Sequence, residues 1–448
     1  MALMVSVSGI RGIFGTDLNP ENIARFTAAF GTWAKGGKIV VGRDSRVTGQ
    51  LCENIVLAAL QSVGCDVVTL GIVPTPTVAM GVLRHEARGG IIISASHNPA
   101  EWNALKLLNG KSEFLDADQG KAVMDIAEKR NIAYKSYQEL GSVSEDKDIL
   151  LHHINKILDL PYIDKDLIAK HNFKVALDAV NGAGSIAVPL LLEKLGVYKL
   201  DKLNCTPDGL FPHNPEPIPE HLDDICRVVQ EYGSDIGFVV DPDADRLALV
   251  MDGGILFGEE YTLGLVTHFM MEKNAGPVAT NLSSSSITKY IAEKYHQKCY
   301  QAAVGEINVV KEMQRVNAVI GGEGNGGVIN PDLHYGRDSL VGIAMALQFL
   351  AEKEISLSKY RKSLPAYYLS KNKINIEGID PDEILKEIAA QYKDREPITI
   401  DGVKIFLVEG WVHLRKSNTE PIIRIYSESD SPEKADKLAH EIMDKIKS

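Results

Sequence analysis

The feature that most constrains this chain is a rhythm. Short β-rich runs alternate with amphipathic stretches: KIVVGRDSR, then LCENIVLAALQSVG, CDVVTLG, TVAMGVLRHEA and GGIIISAS. Strand-length apolar runs separated by helix-length stretches build βαβ units, whose strands must be covered by helices on both faces. The rhythm restarts with KVALDAVNGAGSIAVPLLLEKLG from Lys174, adds DIGFVVDPDADR at 235 to 246, and begins again with PVATNLSSSSITKYIAEKYHQ and AVIGGEGNGG. At 448 residues the chain exceeds what one hydrophobic core serves, so the restarts read as domains. The end differs. After the charged run DPDEILKEIAAQYKDREP come the strand-like ITIDGVKIFLVEG, WVHLRKS and PIIRIYSES, and then a helical pattern, SPEKADKLAHEIMDKIK. The expected architecture is three consecutive mixed-sheet α/β domains, at 1–150, 151–255 and 256–370, followed by a C-terminal α+β domain at 371–448.

Composition removes several function classes. No window approaches the eighteen or so unbroken apolar residues of a membrane span, and MALMVSVSGIRG lacks the basic start and long apolar run of a signal peptide, so a cytoplasmic location is expected. Five scattered cysteines, none in a C-x-x-C pair, suggest buried thiols, not a disulfide framework. A formal net charge of -12 argues against general nucleic-acid binding, which needs a basic face. Any anionic ligand must meet locally concentrated arginines and backbone amides.

Three apparent strands end in an aspartate, at Asp44, Asp178 and Asp241, the end at which open α/β sheets place ligand loops. The last begins DPDADR, with Asp241, Asp243 and Asp245 directly after an apolar strand. Three carboxylates beside a single arginine repel one another, and a hard cation with oxygen ligands explains them better than a solvated turn. An EF-hand is excluded: its sixth position is Arg246 instead of glycine, its twelfth is Asp252 instead of glutamate, and a strand-like run follows.

GGEGNGGVIN, from Gly321, has neither dinucleotide-binding spacing nor a P-loop lysine. Its glycines let backbone approach a ligand toward which Glu323 and Asn325 project, a carboxylate and an amide suited to vicinal sugar hydroxyls. RKSNTEPIIR gathers Arg415, Ser417, Asn418, Thr419 and Arg424, the donors a phosphate ester needs. Finally, SASHNP sets Ser96 and His97 at the end of IIIS without nucleophile-elbow glycines. A histidine adjacent in sequence is poorly placed to deprotonate its neighbour. Beside an acidic and an arginine loop, Ser96 reads as a phosphoryl acceptor and donor.

These loops, in this order, resemble the α-D-phosphohexomutase superfamily, which includes phosphoglucomutase, phosphomannomutase and phosphoglucosamine mutase. SASHNP, DPDADR, GEGNGG and RKSNTEP carry the resemblance, with SGIRG and GRDSR in support, and it covers essentially the whole chain. It implies a heart-shaped, four-domain protein around a central cleft, each domain lending one loop. Ser96 would be the phosphorylated serine, coordinating Mg²⁺ together with Asp241, Asp243 and Asp245, and a hexose 1,6-bisphosphate would be activator and intermediate. Arg11, His97, Lys106 and Arg246 would lie near the reacting phosphate, with Lys106 as general acid/base through a lowered pKa. Glu323 and Asn325 would grip the sugar, and Arg415, Ser417, Asn418, Thr419 and Arg424 the distant phosphate. Small sugar phosphates would be the partners, with no nucleic acid and no membrane, in a monomer or homodimer. Glucosamine phosphate is preferred over mannose or glucose phosphate. A sugar-phosphate phosphohydrolase and a non-catalytic sugar-phosphate binder are the alternatives. Two departures stand out: Gly327, where many members have histidine, and Ala104, where N-G-x-K is usual.

Overall fold

The computed structural model describes residues 3–6, 9–376, 380–417 and 422–447. Four sheets organise them. The first has seven strands in the order Met4–Ser6, Gly9–Ile13, Trp102–Asn109, Gly89–Ile93, Gly37–Arg43, Cys65–Ile72 and Val143–Glu145. The second has five: Ile255–Leu256, Leu247–Met251, Ile236–Val240, Lys174–Asp178 and Lys199–Leu203. The third has four: Cys299–Ala302, Val278–Asn281, Ile320–Glu323 and Gly327–Ile329. All three are mixed. The last, Tyr368–Asn375, Ile422–Ser429, Gly410–Lys416 and Val403–Leu407, is antiparallel throughout, as the α+β reading expects. The charged run folds as the helix Pro381–Gln391, between the first two strands of this sheet in chain order, started by Asp380, whose side chain accepts from the Asp382 N–H; the strand ahead of it, Tyr368–Asn375, is additional to the three strand-like runs of the sequence.

The mixed sheets share one construction that positions the site. In each, a parallel strand is followed at once by an antiparallel neighbour, and the short connection between them carries a functional loop. Gly89–Ile93 runs parallel to Gly37–Arg43 and turns into Trp102–Asn109. Ile236–Val240 runs parallel to Lys174–Asp178 and turns into Leu247–Met251. Ile320–Glu323 runs parallel to Val278–Asn281 and turns into Gly327–Ile329. The serine, acidic and glycine loops are therefore equivalent positions, each at the carboxyl end of the parallel strand that precedes the antiparallel return, where open sheets leave backbone groups free for ligands.

Apolar packing divides the chain differently from the sheets. The first sheet has a core on each face, because successive side chains alternate: Ile39, Val41, Ile91 and Ile93 on one side, Val40 and Ile92 on the other. The second and third sheets share one continuous core, running from Ile154 and Phe238 through Leu249 and Phe269 to Phe349. At its centre is the helix Ser339–Lys353, buried at every residue from Ser339 to Ala351. A helix apolar on all sides must be enclosed by neighbours, and this one begins on Asp338, whose carboxylate accepts from the Leu340 and Val341 N–H groups. Among the described residues no helix is long and apolar enough to cross a membrane. All five cysteines are free; Cys52 and Cys65 are buried, whereas Cys205, Cys226 and Cys299 are only partly so, against the expectation of buried thiols throughout.

The last domain has its own core and meets the third sheet through polar contacts. Ser283 Oγ lies 2.9 Å from His413 Nδ1, and Glu428, which accepts from Trp411 Nε1 of its own sheet at 2.7 Å, also accepts from the Ser286 N–H at 3.0 Å. Lys404 is 1% exposed, donates to the Leu282 carbonyl at 2.7 Å and lies 3.9 Å from the Trp411 ring centroid. Burial drives its pKa from 10.5 down to about 7. Between those values the unfolded chain holds a proton that the folded one has lost, so stability rises with pH, by up to about 1.4 kcal/mol per pH unit from this group. Thermal unfolding measured from pH 7 to 9 is expected to show the rise, and Lys404→Met to flatten it; an unchanged slope in the variant would exclude Lys404 as its source.

Candidate active site

Ser96 opens the turn of the first of the three loops in a left-handed conformation, φ +50°. Few non-glycine residues occupy that region, and such a residue persists only when its surroundings over-determine it. The surroundings here are Arg46. Its guanidinium donates to the carbonyls of Ser96 (2.6 Å), Asn98 (2.7 Å), Pro99 (2.6 Å) and Trp102 (3.1 Å), while Nε pairs with Asp44 Oδ2 at 3.0 Å. Asp44 also accepts from Ser94 Oγ, which in turn accepts from the Ser96 N–H. One buried arginine thus fixes the whole turn from residue 96 to 102. The sequence reading noted GRDSR only as a supporting segment and missed this function of Asp44 and Arg46. The visible signal was an aspartate closing a strand with an arginine two residues later.

The Ser96 hydroxyl, 3% exposed, donates to Asp241 Oδ2 at 2.7 Å. Asp241, Asp243 and Asp245 are all fully buried, and a ligand oxygen from each lies within 4.8 Å of the others. Each carboxylate is anchored by donors that leave an oxygen for the centre. Asp241 Oδ1 accepts from the N–H groups of Asp245 (3.1 Å) and Arg246 (3.2 Å). Asp243 Oδ2 accepts from Thr75 Oγ1 (2.5 Å) and Lys106 Nζ (2.6 Å), and Asp245 Oδ2 from Arg337 Nη2 (2.7 Å). Asp243 Oδ1 and Asp245 Oδ1 are buried with no hydrogen-bond partner. Orphaned buried oxygens are costly, and these two, converging with the Asp241 oxygen that holds the Ser96 hydroxyl, are the donor set of a small hard cation. The residues fit a divalent metal, with Ser96 Oγ beside it. The loop is strained as well: Ala244 has φ +50°, and its carbonyl accepts from Ser339 Oγ at 2.6 Å.

Electrostatics distinguishes the three acids. Burial and the charges of Asp245 and Asp243 push Asp241 well above the usual carboxylate range. Burial acts the same way on Asp243 but is outweighed by Lys106 and the Thr75 hydrogen bond, so its pKa falls. Lys106 belongs to the strand Trp102–Asn109, not to a loop. Burial works against its charge, yet Asp243 and Asp245 prevail and raise its pKa, which corrects the expectation of a lowered one. Its neighbours are carboxylates; the expectation placed it among cations.

Of the other expected groups, Arg11 Nη1 donates to Asn98 Oδ1 at 2.7 Å. Arg246 lies 4.0 Å from Asp245 and 3.6 Å from Glu216. His97 Nδ1 is 3.4 Å from Ser96 Oγ and its Nε2 is 3.8 Å from Glu216 Oε1. Burial first, then Arg246 and Arg11, hold His97 well below its ordinary pKa, so it is neutral at pH 7. Serine, histidine and glutamate are thus in triad order, but both separations exceed normal hydrogen-bond lengths and Asp241 already holds the serine proton.

The glycine loop joins this cluster through Arg337. Glu323 Oε2 accepts from Arg337 Nη1 at 3.1 Å, and Oε1 accepts from Asn281 Nδ2 (2.9 Å) and the Gly305 N–H (3.2 Å). Asn325 Oδ1 is buried without a partner. Gly326, at φ +86°, approaches Leu247 so closely that a Cβ would lie 2.4 Å from its carbonyl oxygen. A further buried group lies behind: Asp338 Oδ2 is 2.9 Å from His153 Nε2 and 3.2 Å from His334 Nε2, and His153 Nδ1 is 3.0 Å from Thr77 Oγ1.

The arginine loop forms a separate cluster on the last sheet. Arg415 and Arg424 are directly opposite across adjacent strands, and Lys373 is opposite Arg424 on the other side. Like charges in cross-strand register repel, and among the described residues the carboxylate paired with Arg415 Nε is that of Asp401, at 3.3 Å. A row of three cations is suited to an anion, and the sequence reading missed Lys373. Asp401 Oδ2 also accepts from the Val304 N–H, which ties this row to the segment holding Glu323. Ser417 donates its N–H to the Ile422 carbonyl; Asn418 and Thr419 lie outside the described residues.

Three mixed sheets, an antiparallel fourth, and a serine set against buried aspartates define the four-domain α-D-phosphohexomutase class. Models of the phosphoglucomutase/phosphomannomutase α/β/α domains I, II and III match residues 3–133, 151–254 and 258–368, and that of the C-terminal domain matches 374–445. A phosphoglucomutase/phosphomannomutase of Thermococcus kodakarensis is 36% identical over 444 residues, covering 97% of this chain and 96% of its own. A phosphoglucosamine/phosphogalactosamine mutase of Sulfurisphaera tokodaii is 32% identical, covering 99% and 98%. The crystal structure of a family protein from Burkholderia thailandensis superimposes with a TM-score of 0.86 at 24% identity, covering 99% and 97%. The chain belongs to the phosphoglucomutase/phosphomannomutase family.

Arg46→Met leaves Asp44 buried without its partner, a change that costs about 3–5 kcal/mol. The expected result is a lower urea midpoint at unchanged slope. A variant as stable as the wild type would show that Arg46 does not hold the serine turn.

Proposed function

We propose that this protein is a phosphohexomutase that moves a phosphoryl group between the 6- and 1-oxygens of a hexose through a phosphorylated Ser96, with glucosamine phosphate as the preferred substrate. The single observation that carries the reading is the Ser96 hydroxyl 2.7 Å from Asp241 Oδ2, beside two orphaned carboxylate oxygens. Asp241, Asp243 and Asp245 would hold Mg²⁺, which when bound supplies positive charge to the phosphoryl oxygens. Phosphoryl transfer depends chiefly on positioning and charge neutralisation, and both are supplied here by side chains of several domains.

In the first half-reaction the P–O bond to Ser96 breaks as a new P–O bond forms to the free hydroxyl of a bound hexose monophosphate. The hydroxyl proton is released and Ser96 Oγ regains one, so the net products are free serine and the hexose 1,6-bisphosphate. In the second, the bisphosphate has changed ends and Ser96 Oγ gives up its proton and attacks the other phosphorus; the P–O bond to the sugar breaks, the sugar oxygen takes up a proton, and phosphoserine and the isomeric monophosphate result. Lys106, charged against Asp243, is a proton donor and a cation for the transferring group; to serve as base it must first give up that proton. Arg11, His97 and Arg246 surround the same oxygens. Glu323 and Asn325 bind hydroxyls from the glycine loop, while Arg415, Ser417, Asn418, Thr419 and Arg424, with Lys373, bind the non-reacting phosphate. The amino-sugar preference is supported by the name of the Sulfurisphaera relative.

Mass spectrometry of the purified protein is expected to find phosphate on the Ser96 peptide. Ser96→Ala should lose at least 10³-fold in isomerase turnover, on the order of a removed covalent nucleophile. Coupled assays with glucosamine, glucose and mannose 6-phosphates rank the substrates. Full isomerisation by Ser96→Ala would overturn the phosphoserine reading, and steady release of inorganic phosphate without isomerisation would make the protein a phosphohydrolase.

A further inference from the structure

Arg337 belongs to neither the acidic loop nor the glycine loop, yet it is bonded to both. It directly precedes Asp338, the cap of the buried helix Ser339–Lys353. Nη2 donates to Asp245 Oδ2 at 2.7 Å, Nη1 to Glu323 Oε2 at 3.1 Å and Nε to Glu306 Oε2 at 2.9 Å. Every nitrogen of the guanidinium is therefore committed to a carboxylate, and the three carboxylates come from three separate segments. The backbone is equally fixed. The Arg337 N–H donates to Glu306 Oε1 at 2.9 Å, the Asp338 N–H to the Val328 carbonyl at 2.8 Å, and Arg337 bridges to Ile329.

The path of the side chain explains a glycine. A Cβ at Gly327 would lie 2.2 Å from Arg337 Cδ, 2.9 Å from its Cγ and 3.2 Å from Asn325 Oδ1. Gly327 is not among the positive-φ glycines; it is a strand residue paired with Glu323. Glycine is required there for space, not for conformation. The arginine stem cannot yield that space, because both its ends are tied.

We propose that Arg337 is a positioning residue that sets the metal-loop carboxylate Asp245 and the sugar-loop carboxylate Glu323 with a single guanidinium, and that Gly327 is the space its stem requires. Metal affinity and hexose binding are then coupled through this pair. The hexose half rests on the phosphohexomutase reading above; the metal half stands without it.

The test uses the full chain as Arg337→Ala, Arg337→Lys, Gly327→Ala and the double variant Gly327→Ala/Arg337→Ala, each checked by thermal unfolding. Mn²⁺ affinity is read by the loss of the free-ion EPR signal, and KM and kcat with glucosamine 6-phosphate. Loss of a side chain that orients a metal ligand weakens binding about 10- to 100-fold. Arg337→Ala is expected to weaken Mn²⁺ by that factor and to raise KM by about tenfold. Gly327→Ala, which touches neither carboxylate, should do both. The double variant should be no worse than Arg337→Ala, since coupled sites are non-additive. Arg337→Lys keeps the buried charge and should recover Mn²⁺ affinity more than KM, because an ammonium cannot fork between two carboxylates. Wild-type Mn²⁺ affinity in Gly327→Ala, or losses that multiply in the double variant, would overturn the proposal. Should the wild type turn over no hexose phosphate, the functional reading fails, and the Mn²⁺ measurements still decide whether Gly327 and Arg337 act as one.

Discussion

Three aspartates with no solvent exposure, their oxygens within 4.8 Å of one another, are the constraint on which the rest of this structure depends. Removing one carboxylate from water costs several kcal/mol unless it is paired and hydrogen-bonded, and three together add mutual repulsion. The fold answers with donors drawn from all three mixed-sheet domains: Thr75 and Lys106 from the first, the backbone of the acidic loop itself from the second, and Arg337 from the third. No domain alone carries enough donors to keep these groups buried. The residual imbalance is visible in Asp241, whose affinity for a proton is raised well above normal. A divalent cation would relieve that imbalance directly, which makes cation binding and acid stability two expressions of the same charge cluster.

The shared loop construction explains how three domains converge on one point. Each loop joins a parallel strand to an antiparallel return, so it is short, begins from a buried strand and leaves at the same edge. The second and third domains are fused by a common core around the helix Ser339–Lys353, whose first residue, Ser339, holds the Ala244 carbonyl and whose cap, Asp338, is directly preceded by Arg337. The fourth domain is different, with a core of its own and a polar contact surface. An interface of that kind permits relative motion more readily than a shared apolar core does. The cationic row of Lys373, Arg424 and Arg415 belongs to this separately packed domain, whereas the acidic and glycine loops are held in register by the shared core.

What could be read from the sequence followed from range. The strand runs, the α+β character of the last domain and the three loops are local patterns, and each loop lies at a strand end or hairpin; the strand Tyr368–Asn375, separated along the chain from the rest of its sheet by a helix, was not read. Ser96 and Asp241 each stood out at a strand end, and that the two meet was implied only by the family resemblance. Arg46 and Arg337 did not stand out, because their significance lies in partners 50 or more residues away, such as the Ser96 carbonyl and Asp245. Lys106 shows the same limit in electrostatic form. Its position was recognised by motif, but the sign of its pKa shift depends on Asp243, 137 residues distant. Gly327 was noticed only as a missing histidine; its physical reason, the stem of Arg337, appears only when residues 327 and 337 are seen side by side.

The two strained residues lead to a stronger conclusion about assembly. Ser96 and Ala244 both have φ near +50°, at a cost on the order of 1–3 kcal/mol each. Neither has a side chain that makes the left-handed region favourable. Ser96 is held there partly by Arg46 of its own domain and partly by Asp241 of the next, and Ala244 by Ser339 of the third. Strain of this kind persists only while its restraints act together. The first domain isolated from the others would retain Arg46 but lose the hydroxyl acceptor, and the second would lose both Ser339 and the cations that permit its aspartates to be buried. The reactive geometry is therefore a property of the packed domains, created where their three loops meet, and not one that any single α/β unit contributes ready-made.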